Sequence, residues 1–300
     1  MVSSRFPRVL ALFGLAPVLF ASCGLLPGVL TQGSEQATSY DGLAINYEVE
    51  GAGSPTLVFV HGWACNRGHW RAQMEEFRTH HRVVAVDLGG HGESGKDREI
   101  WTIESLSRDL CAVLDHLDLK DVLLVGHSMG GPVSLMAAAR RPGRVIGVIG
   151  ADTIHDAEMT ITAEMIGPYI AAMESDFEKT CGSTARGAFP NGGDVDPELI
   201  GRVEADMLAT GPDVTVGLMR AFTELDVKKI LADCPVPVKC INAATPNETR
   251  VEVNRKYSPA FEVILMEGVS HFLMMERPGE FNRHLRTLIS GWSSPAAAAR

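Results

Sequence analysis

The sequence predicts an α/β fold, in which a mostly parallel β-sheet is flanked by helices and carries an inserted helical cap. Short runs of β-branched residues alternate with helical patterns from about residue 40 onward, as in a sheet covered on both faces. Several runs are almost wholly apolar, which is typical of buried parallel strands. The alternation stops between about residues 154 and 231, where helical segments rich in methionine and charge indicate the cap.

The predicted elements follow one another regularly. Strands are predicted at residues 43–48, 56–60, 82–86, 122–125, 145–150, 236–241 and 261–266. Helices are predicted at about residues 70–80, 103–117, 129–140 and 278–289, and a glycine-rich loop is predicted within the cap at 182–193.

The composition indicates a globular protein with one large core. Of 300 residues, 45% are hydrophobic and 21% are charged. We assign residues 40–292 to one domain, because α/β domains often exceed about 200 residues. The formal net charge is −10 and no run of Lys or Arg occurs, so binding to nucleic-acid phosphates is not expected.

Residues 1–23 differ in character from the rest of the chain. Arg5 and Arg8 precede an apolar stretch at residues 9–21, which is short for a membrane span and typical of a signal peptide. Residues 20–23 (Phe-Ala-Ser-Cys) resemble a bacterial lipobox, although Phe20 stands where Leu is usual, and this predicts membrane anchoring through a lipidated Cys23. We expect an exported protein, either a periplasmic or cell-envelope lipoprotein or, with an ordinary signal peptide, a secreted protein. A buried N-terminal helix is the third alternative.

The flanking segments and the cysteines add little to the fold. Residues 24–39 are interpreted as a linker and residues 293–300 as a tail without structure. Without Cys23, five cysteines remain, an odd number without metal-ligand spacing. The sequence therefore predicts at least one unpaired thiol, no metal and no dependence of the fold on disulfides.

One pentapeptide points to nucleophilic catalysis. Residues 126–130 (Gly-His-Ser-Met-Gly) match the G-x-S-x-G nucleophile elbow and lie between an apolar strand and an apolar helix, as the motif requires. Glycine neighbours permit the tight turn, which lifts the Ser128 hydroxyl above the sheet at a helix N-terminus. The alternative is a glycine-rich turn with an incidental serine, but the position of the motif favours a nucleophile.

A histidine near the C-terminus has the position of a general base. Residues 268–272 (Gly-Val-Ser-His-Phe) follow the last predicted strand and precede Pro278, which suits the first turn of the closing helix. His271 should then lie at the sheet edge that also carries Ser128. An imidazole there can accept the hydroxyl proton during attack and return it to the leaving group.

Four segments together resemble the α/β-hydrolase superfamily. They are residues 61–63 (His-Gly-Trp), 87–94 (Asp-Leu-Gly-Gly-His-Gly-Glu-Ser), 126–131 and 268–272. The resemblance spans about residues 40–292 and implies the α/β-hydrolase fold with serine chemistry, while its motifs say little about substrate. Residues 87–94 resemble the loop after the family's fourth strand, where the glycines form a turn.

The resemblance also implies an oxyanion hole. Trp63 follows the strand from which this fold supplies one backbone amide, and Met129 follows the nucleophile. The N–H groups of Trp63 and Met129 are therefore the expected donors to the oxyanion. The side chains of His61 and Trp63 also have a plain interpretation, as packing beneath the sheet edge.

The usual catalytic acid of the family is absent from its usual place. That acid commonly follows the strand predicted here at residues 236–241, where this chain reads Asn-Ala-Ala-Thr-Pro-Asn-Glu over residues 242–248. Some members carry the acid one strand earlier, and Asp152 follows that strand here. We predict Asp152 as the acid, with Glu248 and Asn247 as the alternatives. Asp152 acting only as a helix N-cap is the structural interpretation.

The predicted function is cleavage of a carboxylic ester or related acyl bond through an acyl-enzyme on Ser128, without a cofactor. Alternatives are carbon–carbon bond hydrolysis, lactone opening or perhydrolysis on the same fold, or a weakly catalytic ligand-binding protein. Serine at position 128 argues against the epoxide hydrolases and haloalkane dehalogenases of this fold, whose nucleophile is Asp. Apolar cap side chains, among them Met159, Met165, Met173 and Met207, either line an adaptable pocket or pack as core.

Overall fold

The computed structural model describes Met1 and residues 35–190, 195–244 and 249–292. In these residues an eight-stranded sheet has the order β1-β2-β4-β3-β5-β6-β7-β8. β2 runs antiparallel to β1 and β4, and the other neighbouring strands run parallel. The strands are β1 Glu35–Thr38, β2 Ala44–Glu50, β3 Thr56–Val60, β4 Val83–Val86, β5 Val122–His127, β6 Val145–Ala151, β7 Val238–Ala243 and β8 Glu262–Met266.

The central strands are buried on both faces, as their apolar sequences predict. Every residue of β3 and β5 is buried. Successive side chains of a strand point to opposite faces, so Val58 and Val60 enter one core cluster while Leu57 and Phe59 enter the other. The mostly parallel sheet predicted from the sequence is confirmed.

Helices cover both faces of this sheet. The flanking helices outside the cap are α1 Arg71–Phe77, α2 Ile103–His116, α3 Gly130–Arg140, α9 Val251–Arg255, α10 Leu273–Glu276 and α11 Pro278–Ser290. Helices α2 and α3 contribute to the first core cluster, and α1 and α11 contribute to the second. Helix α2 begins with a capping box between Thr102 and Ser105, and α11 begins at Pro278.

A group of helices lies between β6 and β7, in the region where the sequence predicts a cap. They are α4 Ala163–Ser175, α5 Phe177–Gly187, α6 Pro197–Thr210, α7 Pro212–Ala221, a 3₁₀ turn Phe222–Glu224 and α8 Val227–Asp233. Met173 and Met207 are buried in the second core cluster, whereas Met159 and Met165 are exposed. Some cap methionines therefore pack as core and others face solvent.

The predicted loop at residues 182–193 is wrong over its first part. Helix α5 continues through Gly182 to Gly187, with an Asp176 side chain capping its N-terminus. Gly182 faces α6, where a Cβ would lie 2.5 Å from a carboxylate oxygen of Glu204 and would displace the end of that side chain. The glycine is therefore part of a helix and not of the predicted loop.

Three short elements escaped sequence prediction. Strand β1 has four residues and is an edge strand of the sheet, paired with β2, so it lacks the apolar run of a buried strand. Helices α9 and α10 have five and four residues, too few to show helical periodicity.

Several predictions concern residues outside the described ranges. They include the signal peptide at 1–23 with Cys23, the greater part of the linker, the tail at 293–300, and the alternative acids Asn247 and Glu248. The five described cysteines are unpaired, in agreement with the sequence analysis. No helix among the described residues is both long enough and apolar enough to cross a bilayer.

Candidate active site

Ser128 lies at a sharp turn between β5 and α3, with a backbone φ of +51°. Few non-glycine residues adopt this left-handed conformation, so the surroundings must stabilise it. A Cβ at Gly126 would lie 2.3 Å from the carbonyl oxygen of Gly130, and a Cβ at Gly130 would lie 2.5 Å from that of Val60. The glycines on both sides of Ser128 are therefore needed for the turn to close.

The backbone of Ser128 is held on two sides. Its N–H donates to the carbonyl oxygen of Ala151 at the end of β6, at 3.0 Å. Its own carbonyl oxygen accepts from the N–H of Gly131 at 2.9 Å and from the hydroxyl of Thr153 at 2.8 Å. Ser128 is thus linked directly to the loop that carries Asp152.

Asp152 and His271 are hydrogen-bonded, with 2.6 Å between Oδ2 of Asp152 and Nδ1 of His271. The other carboxylate oxygen, Oδ1, accepts from the N–H of Ala243 at 2.9 Å and lies 3.5 Å from Nε2 of His155. Asp152 is not the N-cap of α4, since that helix begins after Thr162. The structure therefore brings the predicted acid and base together across 119 positions of sequence.

The surroundings of Asp152 favour its ionised form. Burial opposes ionisation, but hydrogen bonds from His155 and His271 and from the Ala243 N–H outweigh it and hold the pKa of the Asp152 carboxyl well below its usual range. A carboxylate accepts the Nδ1 proton of His271, and the neutral ring then carries its lone pair on Nε2. This is the tautomer that a general base requires.

The loop of His271 is fixed through its backbone. The N–H of His271 donates to the carbonyl oxygen of Ala188 at 3.2 Å, and its carbonyl oxygen accepts from Nε2 of His127 at 2.9 Å. His127 is fully buried, and burial lowers the pKa of its imidazole far below the ordinary value. Neutral His127 therefore acts as a structural donor next to Ser128, a role that the sequence analysis missed although the residue lies within the G-x-S-x-G motif.

The proposed site has two groups that would exchange a proton, the Ser128 hydroxyl and Nε2 of His271. Neither has a hydrogen-bond partner in the part of the chain that the structure describes. The rings of His127 and His271 lie 4.7 Å apart, and a Cβ at Gly62 would contact both His127 and Ser128. Catalytic hydrogen bonds are often long in the absence of substrate and tighten when it binds.

The two amides expected to form an oxyanion hole are also without acceptors. In the described ranges, the N–H groups of Trp63 and Met129 donate to no protein atom. The Trp63 indole donates to the carbonyl oxygen of Thr215 on α7, so this side chain ties the turn to the cap. His61 is buried, and its Nε2 accepts from the N–H of Leu88, which confirms a packing role for that side chain.

Among the described side chains, no group of three or more His, Cys, Asp or Glu is arranged to hold a metal ion. Asp87 is bound instead by Arg67 and by the backbone N–H of Glu93. A Cβ at Gly92 would lie within 2.5 Å of the Asp87 carboxylate, so the glycines of residues 87–94 allow this close turn.

Comparison with known proteins agrees with the topology. A family model of the alpha/beta hydrolase fold matches residues 55–182. The crystal structure of a bromoperoxidase from Bacillus anthracis superposes with a TM-score of 0.77 at 22% identity and covers 86% of this chain and 100% of that chain. The chain therefore has the α/β-hydrolase fold, and its motifs resemble those of that superfamily.

Some curated relatives match about a third of the chain at higher identity, and others match most of it at lower identity. The dihydrolipoyllysine-residue acetyltransferase component of an acetoin cleaving system from Pseudomonas putida is 42% identical over 99 residues, which is 33% of this chain and 27% of the relative. 3-Oxoadipate enol-lactonase 2 from Acinetobacter baylyi is 26% identical over 255 residues, which is 82% of this chain and 93% of the relative. Against several of the relatives with shorter matches, the chain spans only 27% to 38% of their length.

Proposed function

We propose that this protein hydrolyses a carboxylic ester or lactone through a covalent acyl-enzyme on Ser128. The observation that carries the proposal is the 2.6 Å hydrogen bond between Asp152 and His271, at the sheet edge where the elbow presents Ser128. Ser, Asp and His follow one another in the order usual for this fold. The likeness to an enol-lactonase over 82% of the chain supports an acyl–oxygen bond as the target, because a lactone is a cyclic ester.

In the first half of the reaction, His271 Nε2 takes the proton of Ser128 as its oxygen attacks the substrate carbonyl. The carbonyl oxygen becomes an oxyanion, which the N–H groups of Trp63 and Met129 stabilise by about 3 kcal/mol per donor. The tetrahedral intermediate collapses when the carbon–oxygen bond to the alcohol breaks, and His271 returns the proton to that leaving group.

In the second half, water replaces the alcohol. His271 takes a proton from water, the hydroxide attacks the acyl carbon, and the bond to Ser128 breaks as the serine oxygen recovers the proton. Asp152 stabilises the imidazolium in both halves through its hydrogen bond to Nδ1. The products are a carboxylic acid and an alcohol, or one hydroxy acid from a lactone.

The test is turnover of nitrophenyl esters of increasing acyl length, together with unsubstituted γ- and δ-lactones. Replacing the nucleophile in Ser128→Ala should lower kcat by at least about 10⁴-fold. Ser134→Ala is the matched control, because Ser134 is a buried serine one turn along α3 whose hydroxyl only donates to the carbonyl oxygen of Gly130. Equal turnover by wild type and Ser128→Ala would place the chemistry elsewhere, and ligand binding without turnover in either would favour a binding protein.

A further inference from the structure

The segment that carries Asp152 has an unfavourable backbone conformation. We refer to residues 152–157 as the acid loop. Asp152 has a φ of +47° and Ile154 a φ of +54°. Such an angle is unfavourable for a non-glycine residue and persists only where the surroundings impose it. The acid loop therefore needs a specific restraint, and two buried asparagines provide one.

The first is Asn242, near the end of β7 and fully buried. Its side-chain oxygen accepts from the N–H of Thr153 at 3.1 Å, and its NH₂ group donates to the carbonyl oxygen of the same residue at 3.0 Å. The amide thus pairs with both backbone groups of Thr153, as a neighbouring strand would. The NH₂ group also donates to the Thr249 hydroxyl at 2.8 Å, so both of its donors are used.

The second is Asn254, on the short helix α9 and also fully buried. Its oxygen accepts from the N–H of Ala157 at 2.8 Å, and its NH₂ group donates to the carbonyl oxygen of Ile154 at 2.7 Å. Asn242 and Asn254 together hold the acid loop on both sides of Ile154. Neither asparagine hydrogen-bonds to the Asp152 carboxylate, whose partners are the Ala243 N–H, His155 and His271. The backbone N–H of Asp152 donates to the carbonyl oxygen of Ile241.

We propose that Asn242 and Asn254 are positioning residues for Asp152, and this inference rests on the proposed serine hydrolysis. By fixing the backbone directly after Asp152, they keep its Oδ2 aimed at Nδ1 of His271. Without them the loop can relax from its positive φ angles, which turns the carboxylate away from the ring. An acid after β6 needs this restraint, since Asp152 itself has a positive φ and Ile154, two residues later, has another.

The test compares Asn242→Ala and Asn254→Ala with Asn282→Ala. Asn282 is a suitable control because it is also buried, and its hydrogen bonds join α11 to α1. We expect kcat to fall about 100-fold in the first two variants, the loss typical of a small misplacement of a catalytic group. KM should change little, because neither asparagine is placed against substrate. Asn282→Ala should keep the wild-type kcat.

A second measurement does not depend on turnover. The hydrogen-bonded Nδ1 proton of His271 should give a low-field proton NMR resonance that is absent from Asp152→Asn. It should weaken or vanish in Asn242→Ala and Asn254→Ala and remain in Asn282→Ala. If Asn242→Ala does not fold, Asn242→Thr and Asn254→Ala provide the same comparison.

The two proposals fail differently. Full kcat and an unchanged low-field resonance in both asparagine variants would overturn the positioning role, even with ester hydrolysis intact. The protein could also lack ester turnover while the low-field resonance still disappears in the asparagine variants. That result would support the positioning role and show that only the proposed reaction is wrong. A matching loss of kcat in Asn282→Ala would also overturn the proposal, since any buried asparagine would then have the same effect.

Discussion

The hydroxyl of Thr153 donates a 2.8 Å hydrogen bond to the carbonyl oxygen of Ser128, so the residue after the proposed acid holds the backbone of the proposed nucleophile. Thr153 also packs against Gly131 and Gly150, where an added Cβ would lie 2.5–2.6 Å from its side-chain atoms. Thr153 therefore connects the backbone of the proposed nucleophile with the loop of the proposed acid.

Removing the Thr153 hydroxyl tests this link. Thr153→Val keeps the shape of the side chain but loses the hydrogen bond, which should cost about 1 kcal/mol of stability. We expect the loss of kcat to exceed what reduced folding explains, because the turn at Ser128 is loosened. Thr153→Ser keeps the hydroxyl and should retain more activity. Urea unfolding and steady-state kinetics of both variants provide the check, and equal kinetics for Val and Ser would contradict the link.

The identity of the acid can be tested by isosteric substitution. Asp152→Asn should lower kcat by about 10⁴-fold, because an amide favours the wrong tautomer of the base. Glu248→Gln, the matched change at the alternative acid, should leave kcat close to wild type. Steady-state kinetics on a nitrophenyl ester distinguishes the two, and a large loss only in Glu248→Gln would move the acid to the segment after β7.

The predicted export of the protein depends on residues 1–23 and is tested on the mature N-terminus. Expression of the full chain in a bacterial host with lipoprotein processing should give a mature N-terminus at a lipidated Cys23, detected by intact mass spectrometry. Cys23→Ala should abolish the lipid mass and release the protein from the membrane fraction. An unprocessed N-terminus beginning at Met1 would refute export, and an unlipidated cleaved one would support the secreted alternative.

Sequence patterns predict the features of the site that depend on the order of neighbouring elements along the chain. The turn at Ser128, the late loop of His271 and an aspartate after β6 all follow from where a residue stands relative to a strand end. The carboxyl ends of parallel strands share one edge of the sheet, so residues distant in sequence were expected to meet. The hydrogen bond between Asp152 and His271 agrees with that expectation.

Features that depend on tertiary contacts could not be predicted in this way. Asn242 stands where the acid is usually found, and nothing local indicates that its amide pairs with Thr153. His127 occupies a variable position of the motif, and its role depends on the carbonyl oxygen of His271, 144 positions away. Gly182 indicates a loop in the sequence because glycine is a poor helix former, yet it lies inside α5.

Stability should depend on pH through three fully buried histidines, His61, His91 and His127. Burial lowers the pKa of His61 and of His91 to about 3, and that of His127 far below its ordinary value. An unfolded histidine titrates near pH 6.5, so below about that pH the unfolded chain binds protons that the native protein does not. Unfolding free energy should therefore fall as pH decreases from about 6.5 toward 3, by up to about 1.4 kcal/mol per pH unit for each histidine.

His91→Gln should reduce this pH dependence, because it removes one of the three groups that are neutral in the native state. His91 has a structural role, since its Nε2 accepts from the N–H of Ala64, so the variant is expected to be less stable at pH 7. The informative quantity is thus the slope of unfolding free energy against pH, measured by urea unfolding at several values between about pH 7 and 5. His80→Gln is the control, because that side chain is exposed in the native protein. Identical slopes for wild type and His91→Gln would show that protonation of His91 does not contribute to acid unfolding.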